Sequence, residues 1–162
     1  MSESDPALAA RERLLDAEAA TIDAVLDAAD AIATDTSQEP AAGWFRLDDG
    51  RLATADREAV VPELRTELEA RGLLHELTGL LATAVDAAGF ALSARPVPAP
   101  PYVAMTSTGP VLRATVDAGR LVVRIDCFEV VRNVEAAGAN GVAYARPATP
   151  PGAALSVTFV SD

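Results

Sequence analysis

Four prolines between residues 96 and 101 separate two parts of the chain with different hydrophobic periodicities, and this division constrains the fold most strongly. Proline fixes φ and lacks a backbone donor, so the run predicts a stiff, extended connector. Apolar residues recur at helical spacing before it and alternate with other residues after it. We therefore predict one compact domain with an acidic helical region at 1–95, a proline-rich connector at 96–101 and an antiparallel sheet region at 102–162.

The apolar stripes before the connector predict about three helices. The predicted helices span residues 6–33, 54–71 and 73–88. Asp5 and Pro6 suit the start of the first, and Pro62 either kinks the second or begins a new segment of it. Residues 44–53 predict a small hairpin or a packed loop between the first two helices.

Runs rich in β-branched residues after the connector predict four or five antiparallel strands. They span residues 102–106, 111–117, 120–132, 142–146 and 155–160. A two-residue turn at Ala118-Gly119 would place Val116 opposite Leu121, Ala114 opposite Val123, and Leu112 opposite Ile125. The predicted fold class is therefore α+β, with about three N-terminal helices packed on one face of a four- to five-stranded antiparallel sheet.

Charge is distributed unevenly along the chain. The sequence has 24 Asp and Glu against 13 Arg and no Lys, which gives a net charge of -11. Residues 1–95 contain 19 acids and 8 Arg, whereas residues 96–162 contain 5 of each. In molar salt the Debye length falls to about 3 Å, so a densely acidic surface loses most of its self-repulsion. These features predict a halophilic cytoplasmic protein, with the codon bias of a GC-rich genome as the alternative reason for the missing Lys.

The same composition argues against two classes of binding partner, nucleic acid and membranes. The N-terminus is acidic where a secretory signal is basic, and no apolar run approaches the length of a membrane helix. Excess negative charge repels phosphate backbones and anionic lipid, so we expect neither nucleic acid nor membrane as a partner. The chain's one cysteine, Cys127, cannot form an intramolecular disulfide.

The second face of the predicted sheet is too apolar for a solvated surface and too charged for a core. Apolar and charged residues alternate on it: Val111, Val122, Phe128 and Val130 lie between Arg113, Arg124, Asp126 and Arg132. Three alternatives remain open for what covers this face. It could be the interface of a homodimer, it could lie under the connector or the Trp44 segment, or it could form a groove for a small ligand.

The candidate binding residues are those of this second face: Arg113, Arg124, Asp126, Val122 and Phe128. With the predicted register, Arg113 and Arg124 lie opposite each other and could bind a carboxylate or phosphate together. Neutralisation of both by Asp126 and Asp117 is the alternative interpretation. We predict a non-enzymatic structural or interaction protein that self-associates through this face in a high-salt cytosol. The alternative is a binding module or small-molecule enzyme that uses the two arginines to hold an anionic ligand.

Catalytic and metal-binding motifs are not found in the sequence. His75 and Cys127 are the only imidazole and thiol, and nothing in their spacing brings them together. His75 begins a pattern like that of zinc proteases, but Gly79 stands where the second His is required. We predict no catalytic residue, no metal site and no cofactor.

Three segments of the sheet region carry a family resemblance. Residues 100–107 (PPYVAMTS), 109–115 (GPVLRAT) and 120–124 (RLVVR) resemble an uncharacterised family of conserved hypothetical proteins from halophilic archaea. The resemblance covers about a third of the chain. It implies adaptation to salt and assigns no activity or site residue.

Overall fold

Two antiparallel sheets and five α-helices form the part of the chain that the computed structural model describes, residues 5–138, 141–147 and 150–161. The helices are α1 (Pro6–Ala17), α2 (Ala19–Ala33), α3 (Val61–Ala70), α4 (Leu73–Ala87) and α5 (Pro151–Ala154). The strands are β1 (Phe45–Arg46), β2 (Leu52–Thr54), β3 (Val103–Thr106), β4 (Gly109–Val116), β5 (Gly119–Ile125), β6 (Glu129–Val131), β7 (Ala143–Ala145) and β8 (Leu155–Ser161). The α+β class and the antiparallel pairing are confirmed, with two sheets in place of one.

The first predicted helix is in fact two helices. Asp5 caps α1 as expected, because its carboxylate accepts a hydrogen bond of 3.0 Å from the Ala7 amide. The chain leaves helical geometry at Glu18, with φ -122° and ψ 16°, so the prediction of one helix over 6–33 was wrong. The Glu18 carboxylate accepts hydrogen bonds from the hydroxyls of Thr21 and Thr83, both at 3.3 Å. The Glu18 side chain therefore links the junction of α1 and α2 to α4.

The second helix, predicted over 54–71, begins only at Val61, because Thr54 belongs to β2. Asp56 caps a 3-10 turn at Arg57–Ala59, and α3 follows with Pro62 in its first turn, where a missing amide donor costs little. Gly72 adopts a φ of +72° between α3 and α4, a conformation that side chains with a Cβ rarely adopt. The helix predicted over 73–88 is confirmed as α4.

The larger sheet, which we call the main sheet, has the strand order β3-β4-β5-β8. Its central hairpin turns at Asp117-Ala118, because Val116 pairs with Gly119 and Ala114 pairs with Leu121. The predicted turn at Ala118-Gly119 was therefore wrong, and the true register differs by two residues. A slip of two keeps each side chain on its predicted face, since side chains alternate with a period of two.

The strand predicted over 120–132 is broken between β5 and β6. The amides of Cys127 and Phe128 both donate to the carbonyl of Thr108, at 2.7 and 3.0 Å, so neither continues the pairing of β5. After this bend Phe128 is buried, with its ring centroid 5.5 Å from that of Trp44. The prediction that Phe128 lies on the second face of the main sheet was wrong, and Val130 belongs to the other sheet.

The smaller sheet has the strand order β1-β2-β7-β6 and joins distant parts of the chain. Strands β1 and β2 form the hairpin predicted within residues 44–53, with Phe45 opposite Ala53. Ala53 also pairs with Ala145 of β7, on the far side of the proline connector. The small sheet therefore couples the N-terminal half to the C-terminal half by backbone hydrogen bonds.

The hydrophobic core contains buried side chains of the helices and of one face of the main sheet, here called its inner face. Buried inner-face residues include Leu112, Leu121 and Ile125, and the helices contribute Leu64 and Leu81 among others. Helix α4 contacts β4 and β5, and α1 contacts β8. Within the described ranges, none of the helices has the length and apolar character needed to cross a bilayer.

Candidate functional site

Three exposed arginines surround one half-buried valine on the outer face of the main sheet. Val122 of β5 lies opposite Arg113 of β4 and opposite Thr158 of β8. Arg120 and Arg124 lie two residues to either side of Val122, so all of these side chains point to the same face. We call Arg113, Arg120, Arg124 and Val122 the arginine face.

The register sets the spacing of the three guanidinium groups. Arg113 is not directly opposite Arg124, as the sequence predicted, because Arg124 pairs with Val111. Arg113 instead lies diagonal to both Arg120 and Arg124, at about 7–8 Å between Cα atoms for such neighbours. Arg120 and Arg124 are four residues apart along one strand, roughly 13 Å. The arginines therefore form a triangle rather than a facing pair.

The outer-face positions around this triangle of arginines carry no acidic side chain among the described residues. The remaining outer-face positions of the four strands are occupied by small, hydroxyl-bearing or apolar residues, such as Val111, Thr115 and Val160. None of the ion pairs found among the described residues includes Arg113, Arg120 or Arg124. The predicted neutralisation by Asp117 and Asp126 is thus not seen at ion-pair distance. A net positive surface results on a chain whose total charge is -11.

A cleft of about 340 Å³ opens beside Arg124, where the main sheet meets the small sheet. It is lined by Thr108, Arg124, Asp126, Phe128, Glu129, Pro147 and Ala153. Three of the five predicted site residues, Arg124, Asp126 and Phe128, therefore meet here, while Arg113 and Val122 lie on the open face. The cleft offers one guanidinium and two carboxylates, and its volume is near the lower limit for small-molecule pockets.

A larger groove of about 600 Å³ lies between the β1–β2 loop and the segment after β6. Its charged lining is balanced, with three arginines and three acids: Arg46, Arg51, Arg132, Asp48, Asp49 and Glu135. Arg51 is already paired with Asp49 at 2.7 Å and with Glu129. This groove consequently shows no preference for a ligand of either sign.

The two residues with potential for nucleophilic chemistry lie in different environments. Cys127 is buried, and that burial raises the pKa of its thiol to about 12 despite the nearby Arg146 guanidinium. His75 is exposed on α4. A protonated, buried thiol is a poor nucleophile, so Cys127 serves packing.

The sequence correctly placed Arg113, Arg124 and Val122 on one face but missed Arg120. Arg120 stands at the start of β5 and became part of the triangle only with the turn at Asp117-Ala118. The period-two spacing of residues 120, 122 and 124 indicates that Arg120 shares a face with Val122 and Arg124.

Comparison with known proteins gives a family and no activity. No curated protein and no solved structure gave a match to the chain. A family model described as a domain of unknown function, DUF7988, matches residues 8–160, from the first turn of α1 to the end of β8. The halophilic archaeal origin suggested by the sheet segments stays a prediction. The chain therefore belongs to the DUF7988 family.

Proposed function

We propose that the protein is a non-enzymatic interaction module that binds an acidic surface of another protein through its arginine face. The observation that carries this proposal is the triangle of Arg113, Arg120 and Arg124 around Val122, exposed and without an acidic neighbour at ion-pair distance among the described residues. Guanidinium groups bind carboxylates in a bidentate manner, and Arg is enriched at protein interfaces.

The shape of this face favours a protein partner over a small anion. Small-molecule sites are concave and bury most of their ligand, whereas the three arginines stand on an open sheet surface. Their spread of roughly 13 Å along β5 exceeds what a single carboxylate or phosphate can span. A partner that presents several Asp or Glu side chains can contact all three arginines and cover Val122.

Self-association through the outer face, the leading sequence prediction, has weaker support. Phe128, its expected apolar anchor, is buried in the core. Face-to-face packing of two copies would also bring six guanidinium groups together, and like charges in contact are destabilising. The alternative prediction was a binding module or small-molecule enzyme that holds an anionic ligand with Arg113 and Arg124; the present proposal keeps the binding of anionic groups but takes a protein as the ligand.

A cytosol of high salt is compatible with this kind of binding. At about 1 M salt, screening removes long-range steering, but ion pairs that are partly buried in an interface are screened much less. Binding would then depend on close guanidinium–carboxylate contact and on burial of Val122 rather than on net charge.

Fluorescence anisotropy with a labelled ten-residue glutamate peptide tests the proposal. The triple substitution R113Q/R120Q/R124Q should weaken binding at least tenfold, because it removes every guanidinium of the face. The matched control is R13Q/R57Q/R95Q, which removes the same number of exposed arginines outside the sheets.

Inorganic phosphate at millimolar concentration should compete poorly with the peptide. Equal losses in R113Q/R120Q/R124Q and in the charge-matched control would show nonspecific attraction and overturn the proposal. Preferential binding of a labelled single-stranded oligonucleotide over the peptide would also overturn the proposal.

A further inference from the structure

Strand β8 forms one edge of the main sheet and leaves backbone groups without partners. The amide of Asp126 donates to the carbonyl of Ala154 at 2.8 Å, and this bond fixes which residues face β5. In an antiparallel pair the bonding residues alternate, so residues 154, 156, 158 and 160 point their backbone groups toward β5. Residues 155, 157, 159 and 161 therefore point theirs away from the sheet.

Among the described residues, the amides of Val157, Phe159 and Ser161 have no hydrogen-bond acceptor, whereas the Leu155 amide donates to Pro151. Such a row of free donors and acceptors is a template for another strand. Natural edge strands are normally protected by charge, by proline, by a bulge, by shortness or by a covering helix or loop.

Strand β8 lacks the first four of these protective features, and α1, which contacts β8, supplies no acceptor to its free amides. Its seven residues, LSVTFVS, include no charged residue and no proline. The opposite edge, β3, has four residues and follows Pro100-Pro101, and the edges of the small sheet have two and three residues. Of the described strands at sheet edges, β8 is thus the one suited to pairing.

Exposed apolar side chains lie on β8 and on the helix that contacts it. Val160 of β8 is 59% exposed and Leu8 of α1 is 52% exposed, and α1 contacts β8. These are the two most exposed large hydrophobic residues of the described chain. Pairing of β8 with another strand would cover apolar surface as well as backbone groups.

We propose that two copies of the chain pair through β8 as antiparallel strands, with a twofold axis at Thr158. This register places Val157 of one copy opposite Phe159 of the other, so that the free backbone groups of both face each other. Thr158 meets its own symmetry mate in a non-hydrogen-bonded pair, where side chains approach closely. The two main sheets become one eight-stranded sheet.

Charge favours the second copy as the occupant of this edge. The excess of acids lies in residues 1–95, and β8 is uncharged, so the two paired strands themselves bring no like charges into contact. The arginines of β5 in the two copies would be three strand spacings apart, about 14 Å. That separation exceeds the Debye length of about 8 Å at physiological ionic strength. This dimer is independent of the proposed function and would place two arginine faces side by side.

Analytical ultracentrifugation in 0.2 M and 2 M KCl tests the pairing, with T158E and T115E as a matched pair of variants. Both threonines are exposed on the outer face near Arg120, so a monomer should tolerate glutamate equally well at either position. T158E places two carboxylates at the axis and should weaken dimerisation at least tenfold, whereas T115E should leave it unchanged. A monomeric wild-type chain at 100 µM protein, or equal effects of the two substitutions, would overturn the proposal.

Disulfide trapping tests the register. A non-hydrogen-bonded antiparallel pair has Cα atoms about 4.5 Å apart, within the range of a disulfide. T158C should form a cross-linked dimer under mild oxidation, at least tenfold faster than T115C, while native Cys127 stays buried and inert. Equal rates for the two variants would contradict the twofold axis at Thr158. Loss of dimer in R113Q/R120Q/R124Q would instead assign the interface to the arginine face.

Discussion

Arg146 connects α2 to the segment that joins the two sheets. Its guanidinium donates to the carbonyl of Cys127 at 3.0 Å, to that of Leu26 in α2 at 3.3 Å, and to Pro147. Its Nε lies 2.9 Å from an Asp30 carboxylate oxygen without making an aligned hydrogen bond. Because the Arg146 side chain is 8% exposed and that of Asp30 is 59% exposed, we expect the carbonyl contacts to contribute more than the ion pair.

Substitution R146M should lower the free energy of unfolding by about 3 kcal/mol, because it leaves buried carbonyls without donors. D30N should cost less than about 1 kcal/mol, since the carboxylate is largely solvated. Urea unfolding followed by Trp44 fluorescence measures both values. Equal losses in the two variants would show that the ion pair, rather than the carbonyls, fixes the side chain.

The buried thiol of Cys127 should make the free energy of unfolding depend on pH in the alkaline range. Burial raises the pKa of its thiol from 9.0 to about 12, so between these values the unfolded chain releases a proton that the folded chain retains. The contribution of the buried thiol to the free energy of unfolding is complete below pH 9. It falls as the pH rises, by roughly 1.4 kcal/mol per pH unit. Urea unfolding of wild type and C127A at pH 8, 9 and 10 should show a steeper decline in the wild type. Identical declines would mean that the thiol is not desolvated.

Among the secondary-structure elements, two glycines have opposite roles. Gly119 begins β5 with a φ of +152°, and a Cβ there would lie 2.1 Å from the Val160 carbonyl oxygen of β8. Gly79 lies in the exposed part of α4, and a Cβ there would meet nothing within 4 Å. The close approach of β5 and β8 therefore requires glycine at 119, whereas helix α4 does not require it at 79.

We expect G119A to destabilise the protein by at least about 2 kcal/mol, because the added methyl group must push β8 away or distort β5. G79A should stabilise it by about 0.5–1 kcal/mol through helix propensity alone. Thermal unfolding monitored by circular dichroism gives the sign of each change. A neutral G119A would indicate that β8 is not held against β5 as described.

Elements governed by local periodicity could be predicted, and those governed by distant contacts could not. Helix α4 and the faces of β4 and β5 follow directly from apolar spacing. The turn at Asp117-Ala118 was missed because glycine normally marks the turn itself, whereas Gly119 is needed for the approach of β8.

The break at Asp126 and the burial of Phe128 depend on hydrogen bonds to Thr108, which no local pattern reveals. The same holds for the small sheet, because Ala53 and Ala145 are far apart in sequence. The outer face could accordingly be predicted as a candidate site, but the triangle of arginines and the absence of Phe128 from this face became visible only with the observed register.

At the scale of the whole molecule, charge is separated between the helices and the main sheet. Acids on the helices, such as Asp23, Asp27 and Glu63, are exposed, while the outer face of the sheet carries arginines. Repulsion among like charges destabilises the compact state, and salt reduces it. The separation therefore makes the stability of the folded chain depend on ionic strength.

Raising KCl from 0.1 M to 2 M should increase the free energy of unfolding by about 1 kcal/mol or more, which corresponds to a melting temperature about 2–4 °C higher for a chain of this size. Scanning calorimetry measures the shift, and NaCl at equal ionic strength serves as the control for a cation-specific effect. A melting temperature that is unchanged or lower in 2 M salt would contradict adaptation to a high-salt cytosol.

Chemical-shift mapping of the ¹⁵N-labelled protein with the ten-residue glutamate peptide tests the arginine face most directly. We predict that the largest shifts fall on the amides of Arg113, Arg120, Val122 and Arg124, with those of α2 unchanged. Shifts of equal size on the helices, or none at millimolar peptide, would show that the outer face of the main sheet does not bind an acidic partner.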